Sequence, residues 1–328
     1  MSAGYGDRPA MTMLRQGMLG TSTGQIYLIL LAVVAVTWTL ILATGGNINL
    51  TNTLVRSVAL GIVAVGQTFV ILGGSLDLSV AYQISVTAVV ASVLMDGDPG
   101  NIWWAVLAVI ALGVLIGAVN GILITTLQIN AFIVTLGMAL ILRGVLNAAV
   151  DNYAGEVPDD FRPLGYDNIV GVPWSVLLLL AIVGGGWFIL RSTRFGHHLY
   201  AVGESEETAR NSGVRSGRVL VLAHIFCAVT ATLTGLFLIS RLSAGAPWVG
   251  PDGDYDLESI AAVVLGGTAL AGGRGGVMGT FAGVLILALL DNAFNQLQVN
   301  TFLKDVVRGA ILILAVAAYA LRQPREFR

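Results

Sequence analysis

The feature that most constrains this chain is a succession of long apolar runs separated by short polar segments. A helix that crosses the hydrocarbon core of a bilayer needs about 20 apolar residues. Only 11% of the residues are charged, against about 25% in soluble domains. We therefore predict an all-α integral membrane protein with about ten transmembrane helices. The ten candidate spans, of which the eighth is short, are 26–44, 54–72, 78–95, 102–124, 132–150, 173–190, 219–242, 257–270, 277–295 and 303–321.

The distribution of basic residues predicts how these spans are oriented. With an inside N-terminus, eleven of the 17 Lys and Arg residues fall in inside segments, whereas the outside loops hold only Arg162. The first 25 residues lack the apolar core and cleavage site of a signal peptide, so the first span is interpreted as a retained helix. We predict cytoplasmic termini and three regions. They are a tail at 1–25, one transmembrane domain at 26–321 and a tail at 322–328.

Two glycine-containing breaks interrupt the apolar pattern and resemble each other. The segment GGSLD at 73–77 is too short for an aqueous loop, which predicts a re-entrant or interrupted helix between the second and third spans. The stretch VILGGSLDLS at 70–79 echoes VVLGGTALAG at 263–272. Paired breaks in two halves of a transporter can mark the transport path.

The polar segment 191–218 is long and charged for a connector in so apolar a chain. Within it, Ser205 stands directly before two glutamates, and Gly213 follows eight residues later. A Ser at the cap with acids in the first turn favours a helix start, and Gly favours a helix stop. We predict a two-turn helix at about 205–212. The alternative is a solvated connector whose arginines only set the topology.

The sequence lacks the motifs of a self-contained ATPase or metalloenzyme. A phosphate-binding loop needs the pattern G-x-x-x-x-G-K-[ST], and the one lysine, Lys304, does not follow a glycine. Cys227 is the one cysteine, which leaves no thiolate cluster. His197 and His198 are adjacent in the polar segment, and His224 is interpreted as a helix histidine. We therefore expect no metal and no cofactor in this chain.

Five stretches together resemble the permease subunit of ATP-binding-cassette (ABC) sugar importers of the ribose, xylose and arabinose type. They are GGSLDLSV (73–80), VNGILI (119–124), INAFIVTLGMALILRGV (129–145), TRFGHHLYAVGESEETARNSGV (193–214) and YDLESIAAVVLGGTALAGGRGGVMGT (255–280). The resemblance covers about residues 50–321. It implies a type II ABC importer-like permease that pairs with a second permease copy or a similar paralogue. It also implies a separate ATPase chain that binds ATP and Mg, an extracytoplasmic sugar-binding protein, surrounding lipid and no nucleic acid.

In that family the polar segment after the sixth span is a coupling loop, with a short helix that sits in a groove of the ATPase. The family pattern A-x-G-x-N-x-x-A-A-x-x-x-G fits 191–218 with two departures, Ser205 for Asn and Thr208 for the first Ala. Because Ser also caps helices, we expect the helix to form. The coupling residues implied by the resemblance are Gly203, Glu204, Ser205, Glu206, Glu207, Thr208, Ala209, Arg210 and Gly213.

Polar side chains within the spans are the candidates for the sugar path, because such groups are costly at membrane depth and often functional. The alternative is that they join helices by hydrogen bonds. Asp77 and Arg143 match family positions, and Asp77 could instead cap the third span. We expect no deep sugar pocket, since the binding protein would supply most of the specificity. The candidates are Gln67, Asp77, Asn120, Asn147, Asn292 and Asn295.

These expectations favour the permease of an ATP-driven importer of a pentose, hexose or related polyol in the bacterial inner (plasma) membrane. The chain itself would not be an enzyme. The main alternative is a secondary sugar carrier driven by H⁺ or Na⁺, which usually needs ionisable groups near the midplane. Asp77 and Asp291, the carboxylates nearest to helix interiors, both lie towards span ends. A membrane-embedded enzyme lacks a catalytic cluster, and an exporter is disfavoured by the resemblance to importers.

Overall fold

A computed structural model describes residues 22–43 and 50–300, followed by 302–304, 306–307, 309–310 and 313. The predicted tail at 322–328, most of the tail at 1–25 and much of the tenth span lie outside the described residues. The described residues therefore cover most of the first nine predicted spans and most of the segments that connect them.

The described chain is mostly helical, as the apolar runs predict. The long helices are α1 (Ser22–Ala43), α2 (Leu50–Leu72), α3 (Val80–Met95), α4 (Ile102–Thr126), α5 (Ala131–Ala149), α7 (Trp174–Ser192), α10 (Ser216–Leu242) and α12 (Val277–Gln296). The shorter helices are α6 (Pro163–Tyr166), α8 (Arg194–Glu204), α9 (Glu206–Asn211) and α11 (Tyr255–Leu265). Three single 3₁₀ turns are Pro99–Asn101, Asp159–Phe161 and Pro251–Gly253. Within the described ranges, six helices are long and apolar enough to cross a membrane, namely α2, α4, α5, α7, α10 and α12.

Two details of the sequence prediction are wrong. The eighth span, predicted at 257–270, is only the eleven-residue helix α11, about 16 Å long at about 1.5 Å per residue. It ends because Gly266 and Gly267 stop the helix, and 266–276 continue without regular helix. The chain is also not purely helical, because β1 (Asn168–Ile169) and β2 (Val172–Pro173) pair antiparallel in the long connection before α7. The total of about ten spans stays a prediction.

Helix α10 lies at the centre of the fold and packs against α2, α3 and α4. Its contact positions are small, and Ala223, Ala228 and Ala231 are fully buried. On α4, a Cβ added to Gly117 would lie 2.7 Å from the Ala228 Cβ, so the two helices approach closely at this point. Packing of small residues is what holds helices together in lipid, where no hydrophobic force acts between them.

The connections gather at two opposite ends of the bundle. One, here called the loop end, holds 73–79, 127–130, 193–215 and 266–276; the other, the hairpin end, holds 96–101, 150–173 and 243–254. At the loop end, the Gly273 N–H donates to the Leu72 carbonyl oxygen at 2.9 Å. At the hairpin end, the Gly97 N–H donates to the Glu156 carbonyl oxygen at 3.0 Å. The long helices from α2 to α10 thus run in alternate directions, and the short helix α11 carries the chain back so that α12 runs in the same direction as α10.

Candidate functional site

The short helix predicted in the polar segment forms at the loop end. It is α9, and its N-cap is Ser205, whose Oγ accepts a hydrogen bond from the Thr208 N–H at 3.2 Å. Gly213 lies just beyond its end with φ +86°, a conformation that glycine adopts without strain. The prediction of a two-turn helix at about 205–212 is confirmed.

A second helix, α8, directly precedes α9 and was not predicted from the sequence. Thr193 caps α8 by accepting a hydrogen bond from the Gly196 N–H at 3.2 Å. Leu199 and Val202 are buried against the bundle. The signal that could have found α8 is the helical spacing of Phe195, Leu199 and Val202. The segment 191–218 is therefore a pair of helices on the bundle surface.

The expected coupling residues on α9 divide into fixed and free groups. Ala209 is buried, and Glu206 Oε1 accepts a hydrogen bond from Ser216 Oγ at 2.9 Å, which links α9 to the first residue of α10. Glu207 and Arg210 are exposed, and neither side chain bonds to another residue in the described part of the chain. Ala209 and Glu206 thus fix α9 to the bundle, and Glu207 and Arg210 are presented to solvent.

Two breaks in the helical pattern lie beside α8, and the first break is residues 73–79. The Gly74 N–H donates to the Ile71 carbonyl oxygen at 2.9 Å, and the Ser75 N–H donates to the Val70 carbonyl oxygen at 3.1 Å. Gly74 has φ +77°. This left-handed glycine cap ends α2, and the chain continues into α3 after seven residues. The predicted break is confirmed, but it is a turn between two helices that run in opposite directions rather than a re-entrant or interrupted helix.

The second break, residues 266–276, begins with the same turn at the positions that the sequence echo pairs. The Gly267 N–H donates to the Val264 carbonyl oxygen at 2.8 Å, and the Thr268 N–H donates to the Val263 carbonyl oxygen at 3.1 Å. Gly267 has φ +81°. The two segments that resemble each other in sequence therefore also form the same backbone turn.

Gly203 on α8 lies where both breaks meet. A Cβ there would overlap the Leu72 carbonyl oxygen and would lie 2.5 Å from the Gly273 nitrogen. One turn earlier, the Tyr200 hydroxyl donates to the Gly275 carbonyl oxygen at 2.8 Å, and burial raises the pKa of its phenol. Helix α8 therefore contacts the end of α2 and the second break at the same time.

The first break leads into a fully buried polar cluster that we call the Asp77 cluster, made of Ser75, Asp77, Ser79, Asn120 and His224. Asp77 Oδ1 accepts from the Ser79 N–H at 2.9 Å, and Asn120 Nδ2 donates to Ser79 Oγ at 3.0 Å. Asp77 Oδ2 lies 3.4 Å from His224 Nδ1, and His224 Nε2 lies 3.0 Å from Ser75 Oγ. The cluster ties the break to α4 and α10.

The Asp77 cluster brings together two of the sequence candidates, Asp77 and Asn120. Asp77 Oδ1 accepts from the N–H of Ser79, the N-cap residue of α3, and not from an N–H within the helix, so the capping of α3 by Asp77 stays a prediction. His224 was interpreted only as a helix histidine, although a histidine in an apolar span is itself a signal of function. Gln67 lies deeper, where Cys227 Sγ is 3.4 Å from its Oε1 and its Nε2 has no partner among the described residues.

The remaining asparagines lie at the hairpin end. On α12, Asn292 Nδ2 donates to Thr53 Oγ1 at 2.9 Å, and Asn295 Oδ1 accepts from Lys304 Nζ at 2.6 Å. These bonds favour the helix-joining interpretation for both. Asn147 instead lines an open cavity of about 310 Å³ with Arg143.

Comparison with known proteins agrees with this geometry. Residues 49–316 match the family described as "Branched-chain amino acid transport system / permease component", and the chain belongs to that family of transport permeases. Together with the six apolar helices, this makes it a multi-pass protein of the bacterial inner membrane. No solved structure matches the chain.

The similar proteins within this family are sugar permeases. The ribose import permease RbsC of Escherichia coli K12 is 38% identical over 273 residues, 82% of this chain and 84% of that protein. The L-arabinose permease AraH of the same organism is 36% identical over 260 residues, 78% and 77%. The xylose permease XylH of Haemophilus influenzae is 28% identical over 364 residues, 89% and 95%. The resemblance to ribose, arabinose and xylose permeases is confirmed.

Proposed function

We propose that this chain is the membrane-spanning permease subunit of an ATP-driven importer of a monosaccharide, either a pentose, a hexose or a related polyol. Its similarity to ribose, arabinose and xylose permeases supports this substrate class. The chain would bind no nucleotide itself. ATP and Mg would be bound by a separate ATPase chain, and an extracytoplasmic protein would deliver the sugar.

The observation that carries the proposal is the pair α8–α9 at the loop end. Helix α9 is capped, fixed to α10 through Glu206, and displays Glu207 and Arg210 without partners in the described chain. A rigid helix with free charges of both signs suits a groove of complementary charge on another protein, because little side-chain or backbone freedom is lost on docking. We assign this groove to the ATPase.

The contacts of α8 supply the path from that groove to the membrane helices. A shift of α9 would carry α8 with it, and Gly203 would press on the ends of α2 and the second break. Since the breaks connect α2 to α3 and α11 to α12, a small displacement would tilt two helix pairs. Packed interfaces of this kind move between discrete arrangements rather than deform continuously.

The proposal also specifies which end of the bundle faces the cytoplasm and which other proteins bind the permease. The loop end, with the coupling loop 191–218, would face the cytoplasm, because the basic residues concentrate there, and we expect both termini on the same side. The hairpin end would receive the sugar-binding protein. A second permease, either another copy of this chain or a similar paralogue, would complete the transmembrane domain at 26–321.

Co-purification tests the proposal. The chain, tagged at its C-terminus, is extracted from its native membrane, and its stoichiometric partners are identified by mass. Wild-type protein should bring down an ATPase chain, and the double variant Glu207→Lys with Arg210→Glu should lose it. Asp160→Lys, an exposed charge reversal at the hairpin end, is the matched control and should retain the ATPase.

Transport by the isolated chain gives the opposing outcome. If the purified chain moved ribose, arabinose or xylose into liposomes without ATP, the importer assignment would fail in favour of a secondary carrier. That alternative is not favoured, because the similar proteins are ABC permeases. Asp77 and His224, the ionisable pair that a proton-driven carrier could use, are also fully buried.

A further inference from the structure

The cavity at the hairpin end combines polar and aromatic side chains. Arg143 and Asn147 lie one turn apart on α5, and Asp151 is four positions further along the chain. The three residues therefore line one wall. Tyr82 on α3 and Trp248 in the connection before α11 also line the cavity.

The polar groups around this cavity have no partners in the described part of the chain. The side chains of Arg143, Asn147, Asp151 and Tyr82 make no hydrogen bond or ion pair there. The Trp248 ring makes an edge contact with the Tyr153 ring, with centroids 5.0 Å apart. Arg143 and Asn147 are exposed in the hairpin-end half of α5, so their polar groups can bind a hydrated ligand that enters the open cavity.

The chemistry of the wall fits a neutral polyhydroxyl compound. Arg143 can only donate hydrogen bonds, an ionised Asp151 can only accept them, and the Asn147 amide does both. Every hydroxyl of a sugar both donates and accepts. The opposite charges of Arg143 and Asp151 cancel, so no net charge favours an ion. An aromatic face such as that of Trp248 is electron-rich and attracts the C–H groups of a sugar ring.

The size of the cavity narrows the ligand further. Its volume of about 310 Å³ is near the lower end of the range of about 300–1,000 Å³ for small-molecule sites. It therefore suits one sugar unit rather than an oligosaccharide. Because the cavity is open, a ligand would keep much of its contact with water and would bind weakly, which permits rapid release towards the membrane.

We propose that this cavity is the first monosaccharide-binding site of the permease. Arg143, Asn147 and Asp151 would bind the hydroxyls, and Trp248 would pack against the ring. The inference rests on the proposed function and deepens it, since it names the residues that meet the sugar after its release. It also assigns Arg143 to sugar binding rather than to a structural role.

Direct binding is measured with the purified full chain in lipid nanodiscs, using saturation-transfer NMR with D-ribose, L-arabinose and D-xylose as probes. We expect a signal from at least one sugar. Asn147→Ala and Asp151→Asn should each weaken that binding about tenfold, the effect of losing one good hydrogen bond. Asn152→Ala, next to the cavity but outside its lining, should leave it unchanged. Absence of signal from all three sugars, or equal signals in every variant, would overturn the proposal.

A transport assay separates this inference from the proposed function. Proteoliposomes that contain the permease, the co-purified ATPase and the binding protein are compared at saturating binding protein. The same variants should lower the sugar moved per ATP hydrolysed about tenfold while the affinity for the binding protein stays constant. A fall in that affinity instead would assign the wall to protein docking and refute the sugar site. Failure of wild-type protein to transport with ATP would count against the proposed function alone.

Discussion

At the first break the hydroxyl of Ser75 reaches across to His224 on α10, whereas at the second break the corresponding hydroxyl of Thr268 accepts from the nearby Gly276 N–H. Both residues follow the same glycine cap with the same pair of backbone hydrogen bonds. Local sequence therefore determines the backbone turn, whereas the neighbouring helices determine which residues its side chains contact.

The charged residues of the two breaks show the same contrast. Asp77 in the first break is fully buried and bonded within the Asp77 cluster. Arg274 in the second break is 69% exposed and pairs with Glu204, which is 58% exposed, at 3.1 Å. We infer that the first break is an anchor, which means that it stays fixed to the neighbouring helices. The contact between α8 and the second break would be displaced more easily.

Asp77→Ala should have the largest effect on stability. It would leave the Ser79 N–H and His224 without their buried partner, and each buried polar group that is left unsatisfied costs about 1–3 kcal/mol. Thr268→Ala at the second break should cost only about 1 kcal/mol, for one local hydrogen bond. Thermal unfolding in detergent measures both. Equal losses would contradict the distinction between anchor and displaceable contact.

Gly203→Ala should come next, because its Cβ would force α8 away from the two breaks together. Overpacking of this kind costs about 1–3 kcal/mol, and we expect sugar uptake to fall more steeply than stability. Gly184→Ala on α7 is the control, since its added Cβ would meet nothing within 4 Å. Normal uptake by Gly203→Ala would show that α8 does not transmit movement to the breaks.

Gly74→Ala and Gly267→Ala should have smaller and nearly equal effects. Each would place a Cβ on a residue in the left-handed conformation, which costs about 1–2 kcal/mol. Because φ is +77° at Gly74 and +81° at Gly267, the strain should match. Unfolding temperatures of the two variants, compared in the same detergent, check this. A clear difference would mean that the caps are not equivalent.

The ion pair between Glu204 and Arg274 should contribute least. Both side chains are largely exposed, and such pairs are worth at most about 1 kcal/mol. A double-mutant cycle with Glu204→Ala and Arg274→Ala, measured at low and high salt, should give a small coupling energy that salt reduces further. A coupling energy above about 2 kcal/mol would show that the second break is anchored after all.

Much of the local structure was predictable from the sequence. The helix after Ser205, the glycine turn at 73–77 and its echo at 263–272 each formed as the capping and glycine patterns indicate. Helix α8 was not predicted, because its charged face makes the helical spacing of its apolar residues less evident. The eighth span was placed too long because an apolar run continues through Gly266 and Gly267, where the backbone turns.

Local sequence specifies where this chain forms apolar helices and where most of them begin and end, because caps and left-handed glycines act within a few residues. Which polar groups meet depends instead on tertiary packing. The contact of His224 with Asp77 and the contact of Gly203 with both breaks join residues more than sixty positions apart. Such contacts depend on how whole helices pack, and no local pattern encodes that packing.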